Sequence, residues 1–140
     1  MGRLWVHGRT DAPSFKDSVH VLFDTTQSAL EAAISGAAQR QQALAANLAN
    51  ANTPGYQRVD VDFHGALTAA LGSENAGEAL HSLRLTPQVD ASGATRADGS
   101  TVDVDAESAK LAANALEHQA AVQVAHARIG ILKAAMGVGG

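Results

Sequence analysis

The sequence predicts a mainly α-helical chain. Its N- and C-terminal helices would pair as an antiparallel coiled-coil-like hairpin, with a short strand and turn region and a mobile central loop between them. Three observations lead there. Apolar residues recur at helical spacing through 23–50, and they recur more regularly through 104–136. Between these stripes, Thr53-Pro54-Gly55-Tyr56 reads as a helix stop, and residues 72–100 are rich in Gly, Ser, Asp and Ala.

The first helix is expected over 22–50. Phe23, Leu30, Ile34, Ala37, Leu44 and Leu48 fall on one face at spacings of three, four and seven, with Gln27 and Gln41 interrupting the stripe. Asp24-x-x-Gln27 and Ser28-x-x-Glu31 both have the form of a capping box, so the start is set only to within a turn. Residues 1–20 mix Gly2, Gly8, Asp11, Pro13 and Lys16 without a period and read as a disordered extension. A single domain then spans 21–137, and 138–140 form a tail.

The stop has a physical basis. Pro54 lacks an N–H and pushes Thr53 out of the helical region. Pro followed by Gly suits the two central positions of a type II turn, where Gly55 supplies a positive φ. Turn and strand together are expected over 51–64. Within them Val59-Asp60-Val61-Asp62-Phe63 alternates strictly and reads as a short strand. Residues 65–100 are expected to be a flexible middle, with Asp98-Gly99 at a turn.

The C-terminal helix is expected over 104–136. Val104, Ser108, Leu111, Ala115, His118, Val122, Ala125, Ile129, Leu132 and Met136 keep a 4-3-4-3 spacing of the coiled-coil type. Asp103, Asp105 and Glu107 sit at its start, where acidic groups favour a helix N-terminus, and Gly137 follows its end. Leu30, Ile34, Leu44, Leu48, Leu111, Val122, Ile129 and Leu132 are the large residues of the two seams. They are expected to form an assembly seam.

Composition narrows the function classes. A net charge of −4 gives no electrostatic case for nucleic acid, which attracts clustered Lys and Arg. No apolar run approaches 18 residues, so no transmembrane segment is predicted. With no cysteine, the chain has neither disulfides nor thiolate metal sites. Residues 1–20 hold no apolar block of 7–15 residues, so cleavage of a Sec-type signal is not predicted.

Candidate chemistry is sparse. Asp60, Asp62 and His64 would share one face of the predicted strand and could hold a divalent ion. With no second cluster to supply more ligands, a solvated strand face is the favoured reading. His118 lies on the C-terminal stripe, where an interface histidine is favoured over a buried pH switch, and His126 is too far along the axis to share a metal with it. Ser28, Ser35, Thr53 and Ser108 lack a nucleophile motif, and no phosphate-binding glycine loop is present. Asn47, Asn50 and Asn52 read as amides that bond backbone groups at the helix end and turn. No catalytic residue, cofactor or metal is predicted, and the chain is not expected to be an enzyme.

The wording of the stop carries more. Ala45, Asn47, Leu48, Ala49, Asn50, Thr53, Pro54, Gly55 and Tyr56 match the run A-x-N-(L/I)-A-N-x-x-T-P-G-Y. That run marks the bacterial flagellar rod, hook and filament-junction proteins. RVDVDF at 58–63 follows directly, and GSTVDVDAESAKLAANALEHQAAVQ at 99–123 is similar to the second terminal motif of the same family. Ser100, Ser108 and His118 depart from the usual Asn, Met and aromatic. The chain therefore resembles the flagellar basal-body rod protein family over about 21–137, and within it the short proximal-rod subunits. The resemblance implies a structural subunit of the basal body. It would polymerise helically, transmit torque, and enclose the export channel after export without a cleaved signal peptide. The partners it implies are the subunit itself, other rod subunits, the FliE adaptor, and the inner-membrane ring or export gate. The rod in the periplasmic space is the implied location. A generic helical coiled-coil adaptor or interaction module is the alternative, and a small metal-dependent hydrolase a third reading.

Overall fold

A computed structural model describes the backbone of residues 15–137 and the side chains of 25–137. Two long helices dominate: α1 (Phe15–Ala49) and α4 (Val104–Ala135). Between them come β1 (Val59–Asp60), α2 (Phe63–Leu71), α3 (Ala76–His81) and β2 (Gln88–Val89). The long helices run antiparallel. Asn47 near the end of α1 meets Glu107 near the start of α4, while Asn114 further along α4 reaches back to Ala37 and Gln41. The helices α2 and α3 pack on each other and on α1, and β1 pairs antiparallel with β2, Val59 opposite Val89.

Local chemistry explains the element ends. The last turn of α1 is closed by the Asn50 N–H and Nδ2, which both donate to Ala46 O. Tyr56 N then donates to Thr53 O across the Pro54-Gly55 turn, where Gly55 takes φ +73°. Asp62 caps α2 by accepting from Gly65 N at 2.9 Å. Asp103 caps α4 by accepting from Asp105 N and Ala106 N. Asp105 and Glu107 lie in the first turn of α4 and Lys133 in its last, each complementing the helix dipole.

Several elements differ from the expectations above. The helix α1 starts at Phe15, seven residues before the expected start, so neither Asp24 nor Ser28 caps it. Nothing from Phe15 to Val21 breaks a helix, and extending one costs far less than nucleating it. The reading of 1–20 as an extension is thus replaced by helix from Phe15 onward. Its remainder, and the tail at 138–140, lie outside the described residues. The expected strand at 59–63 shrinks to Val59–Asp60, because Asp62 starts a helix whose first residue, Phe63, turns into the core. The middle is not a loop throughout. It holds α2, α3 and β2, since Phe63, Ala70 and Leu80 supply enough apolar area to dock two short helices on α1.

The C-terminal seam also differs. Leu111, His118, Val122 and Ala125 are half-buried, but Val104, Ile129, Leu132 and Met136 remain exposed, Met136 at 69%. The face of α4 that meets α1 is turned toward Glu107 and Asn114, both buried. Both hydrogen-bond to α1, Glu107 to Asn47 and Asn114 to Ala37 and Gln41. On α1, Leu44 is fully buried and Leu30, Ile34 and Leu48 are half-buried.

The apolar core is small: Ala37, Ala43, Val61 and Phe63, flanked by Val59 and Leu85. Gly36 lets Phe63 cross α1. A Cβ at Gly36 would lie 2.7 Å from Phe63 Cβ and 3.0 Å from Leu85 Cδ1, whereas one at Gly130 meets nothing within 4 Å. The same substitution should therefore have opposite effects at the two positions. Gly36→Ala is expected to lower stability by about 1–3 kcal/mol through overpacking. Gly130→Ala is expected to raise it by about 0.5–1 kcal/mol through helix propensity. Urea denaturation followed by circular dichroism reads both, and equal effects would show that Phe63 does not rest on Gly36.

Candidate functional site

The motif turn, β1, β2 and the start of α4 meet in one buried polar joint, with Asn47 at its centre. Its Nδ2 donates to Glu107 Oε2 and to Val59 O, each at 2.7 Å, and its Oδ1 accepts from Val59 N at 2.9 Å. Tyr56 Oη lies 3.4 Å from the same oxygen. One amide thus ties the end of α1 to β1 and to α4. Both Asn47 and Glu107 are fully buried. A carboxylate in that setting must be paired and hydrogen-bonded.

Glu107 is paired on its other oxygen. Oε1 lies 3.3 Å from Arg58 Nη1 and 3.4 Å from Lys110 Nζ. Arg58 is buried too, and it also reaches Asp90 beyond β2. Its backbone N–H donates to Thr101 Oγ1 at 2.9 Å, and Thr101 N donates to Tyr56 O at 3.1 Å. Gly55 N donates to Asp98 O at 3.0 Å, so the two turns at 53–56 and 96–99 are bonded directly. Both motif stretches of the sequence therefore converge on one construction.

The remaining motif residues lie around it. Leu48 is half-buried, Ala49, Thr53, Pro54 and Gly55 are exposed, and Asn50 bonds the helix end. Asn52 is exposed. Asp60, Asp62 and His64 line one open cleft but do not share a strand face, since β1 ends at Asp60. Asp60 forms a two-point pair with Arg40 at 2.9 and 3.1 Å, Asp62 caps α2, and His64 stands on α2 beside Glu117 at 3.4 Å. The hydrogen bond to Asp60 raises the Arg40 pKa above its ordinary value. Among the described residues no group of three metal-capable side chains gathers. His118 is half-buried, His126 exposed, and Ser28 Oγ sits 3.2 Å from His81 Nε2. Ser35 and Ser108 are exposed, Ser108 donating to Val104 O.

Sequence reasoning did not single out Arg58, Asp90 or Asn114 and gave Glu107 only a helix-dipole role. A signal existed. Glu107 and Asn114 stand one heptad apart, on the inner edge of the apolar stripe of α4.

The joint carries a pH signature. The Ser92 side chain and its backbone N–H, followed by Arg58, hold the Asp90 carboxyl down at about 2. A carboxyl lowered on folding stabilises the fold fully above its unfolded value of about 3.9, and that stabilisation is lost as pH falls toward 2. Urea denaturation between pH 5 and pH 2 should therefore show Asp90→Asn less stable than the natural chain at pH 5. The gap should close by about pH 2. A gap that does not vary with pH would mean that Ser92 and Arg58 do not hold Asp90 in its charged form.

Comparison with known proteins agrees with the geometry. The family described as "Flagella basal body rod protein" matches residues 23–57, which run along α1 and through the turn. The flagellar basal body rod protein FlgB of Aeromonas hydrophila is 34% identical over 128 residues, spanning 84% of this chain and 97% of that one. FlgB of Salmonella typhimurium is 36% identical over 103 residues, 62% of this chain and 75% of that protein. FlgB of Escherichia coli is 36% identical over 98 residues, 59% and 71%. With the two motifs locked into one joint and a relative matched over nearly its whole length, the chain belongs to the flagellar basal body rod protein family.

Proposed function

We propose that this chain is a structural subunit of the proximal rod of the flagellar basal body. It polymerises helically around the export channel and transmits torque. The supporting observation is the surface of α4. One face packs on α1, while Leu116 (68% exposed), Val124 and Ile131 (70%) form a second apolar stripe on the opposite side. Ile129, Leu132 and Met136 stay exposed near its end. Apolar surface of this extent on a long helix marks a contact with other chains. Contacts through different faces of one subunit generate a helical stack when their rotation does not close into a ring.

On this reading the partners are further copies, other rod subunits, the FliE adaptor, and the inner-membrane ring or export gate. The family resemblance supplies those names. Among the described residues no helix is long and apolar enough to cross a membrane. The reading puts the subunit in the rod, in the periplasmic space, reached by flagellar export without a cleaved signal peptide. The role is structural, and the joint would hold the turn and β1 at a constant angle to the helix pair from one subunit to the next.

Immunogold labelling of purified basal bodies tests the reading: label along the proximal rod is expected, and label confined to the cytoplasmic face would overturn it in favour of an adaptor. Two substitution pairs probe the surfaces. Leu116→Asp and Ile131→Asp should each change monomer stability by no more than about 0.5 kcal/mol, since the side chains are exposed, yet abolish swimming. Normal swimming would mean that this stripe meets no neighbour. Gly55→Val should also block swimming, because a β-branched residue is strained at φ +73°. Gly72→Val should be tolerated, because Gly72 has φ −81° and a Cβ there makes ordinary contact with Thr68 O at 3.4 Å. Equal motility of the two glycine variants would show that the turn angle does not matter for incorporation.

A further inference from the structure

The helix α4 has two apolar stripes. The line Leu111, Val122, Ile129 and Leu132 lies on the side of α1, and the line Leu116, Val124 and Ile131 lies opposite. The flanks of both are mostly alanine, which permits close helix approach from either side. Apolar burial alone gives little preference between them, since the large residues are matched in type and nearly in number. Yet only the first stripe meets α1, through the half-buried Leu111 and Val122, while Leu116, Val124 and Ile131 are all exposed.

We propose that Glu107 and Asn114 are polar keys that select which face of α4 packs against α1. The two residues stand seven positions apart on one face and are both buried. Glu107 finds Asn47 Nδ2 at 2.7 Å, and Arg58 and Lys110 on its other oxygen. Asn114 Nδ2 donates to Ala37 O and to Gln41 Oε1, each at 2.8 Å. Were α4 turned to set Leu116 and Val124 on α1, both keys would leave these partners, and Asn47 and Arg58 would be buried without Glu107. Asn47 would keep Val59 and Arg58 would keep Asp90, but each would lose a buried charged partner, which disfavours the turned arrangement. Among the described residues no partner faces the buried Asn114 Oδ1, so this residue fixes the register at some expense in stability.

The chain has no cysteine, so single cysteines report the face directly. In the full chain, Leu116→Cys and Val122→Cys are each reacted with a maleimide. The exposed position should react faster, on the order of tenfold, than the half-buried one. The same pair is then measured in Asn114→Leu and in the double variant Glu107→Leu/Asn114→Leu, with helicity followed by circular dichroism. The expected result is retained helicity, with the rate ratio falling in the single variant and approaching one in the double. A double variant that keeps the natural ratio would overturn the proposal, because the face would then be chosen by packing alone. A double variant that loses its helicity would overturn it equally, since the two residues would then sustain the helix pair rather than orient it. The outcome is read on the isolated chain and does not depend on the rod reading.

Discussion

The fully buried hydrogen bond between Asn47 and Glu107 is the constraint that the rest of the structure satisfies. A carboxylate removed from water is tolerated only when its oxygens are paired. Here one oxygen takes the Asn47 amide, and the other faces Arg58 and Lys110. Pairing Glu107 in turn requires the turn at 53–56 to bring Arg58 back beneath the helix pair. Arg58 then needs Asp90, which only the antiparallel pairing of β1 with β2 puts within reach. The fold around the joint is a chain of such requirements, each met by the next residue along.

This explains a domain with so little large apolar matter inside. Its core cluster holds two alanines, one valine and one phenylalanine. Larger residues are present, but many lie on the outside of α4. Buried polar groups stand beside the small apolar core, and a set of large apolar side chains lies exposed along α4. The usual distribution is partly reversed. That suits a subunit whose final environment is other chains, because the specific contacts within one molecule are then made by groups that water-exposed neighbours do not imitate.

Much of this was legible in the sequence, and what was not has a common cause. The two long helices, the stop at Pro54-Gly55 and the acidic start of α4 follow from periodicity, proline sterics and the helix dipole. Leu44 follows from its place in the stripe. Glu107 and Asn114 did not, because a search for apolar periodicity assigns every polar residue to solvent. Only a partner remote in sequence, such as Asn47 or Ala37, makes burial of either tolerable. The helices α2 and α3 were missed because nine and six residues are too few to show a period. Their alanines and glycines also resemble loop composition until Phe63 and Leu80 are seen to dock on α1. The strand was overcalled because alternation in VDVDF does not distinguish a ladder residue from the helix cap that Asp62 becomes.

The ion pair between Arg58 and Asp90 has a consequence for the order of folding. Just outside the β1–β2 pairs, it encloses the shortest of four nested loops closed by side-chain hydrogen bonds. The Arg58–Asp90 contact spans 32 residues, Arg58 to Thr101 spans 43, Asn47 to Glu107 spans 60, and Gln41 to Asn114 spans 73. Closing the outermost loop from an open chain would carry its full entropic penalty at once. After the inner contacts form, each further closure needs to order only the few residues newly enclosed. The route of least entropy therefore zips outward from the hairpin, and the two long helices meet last.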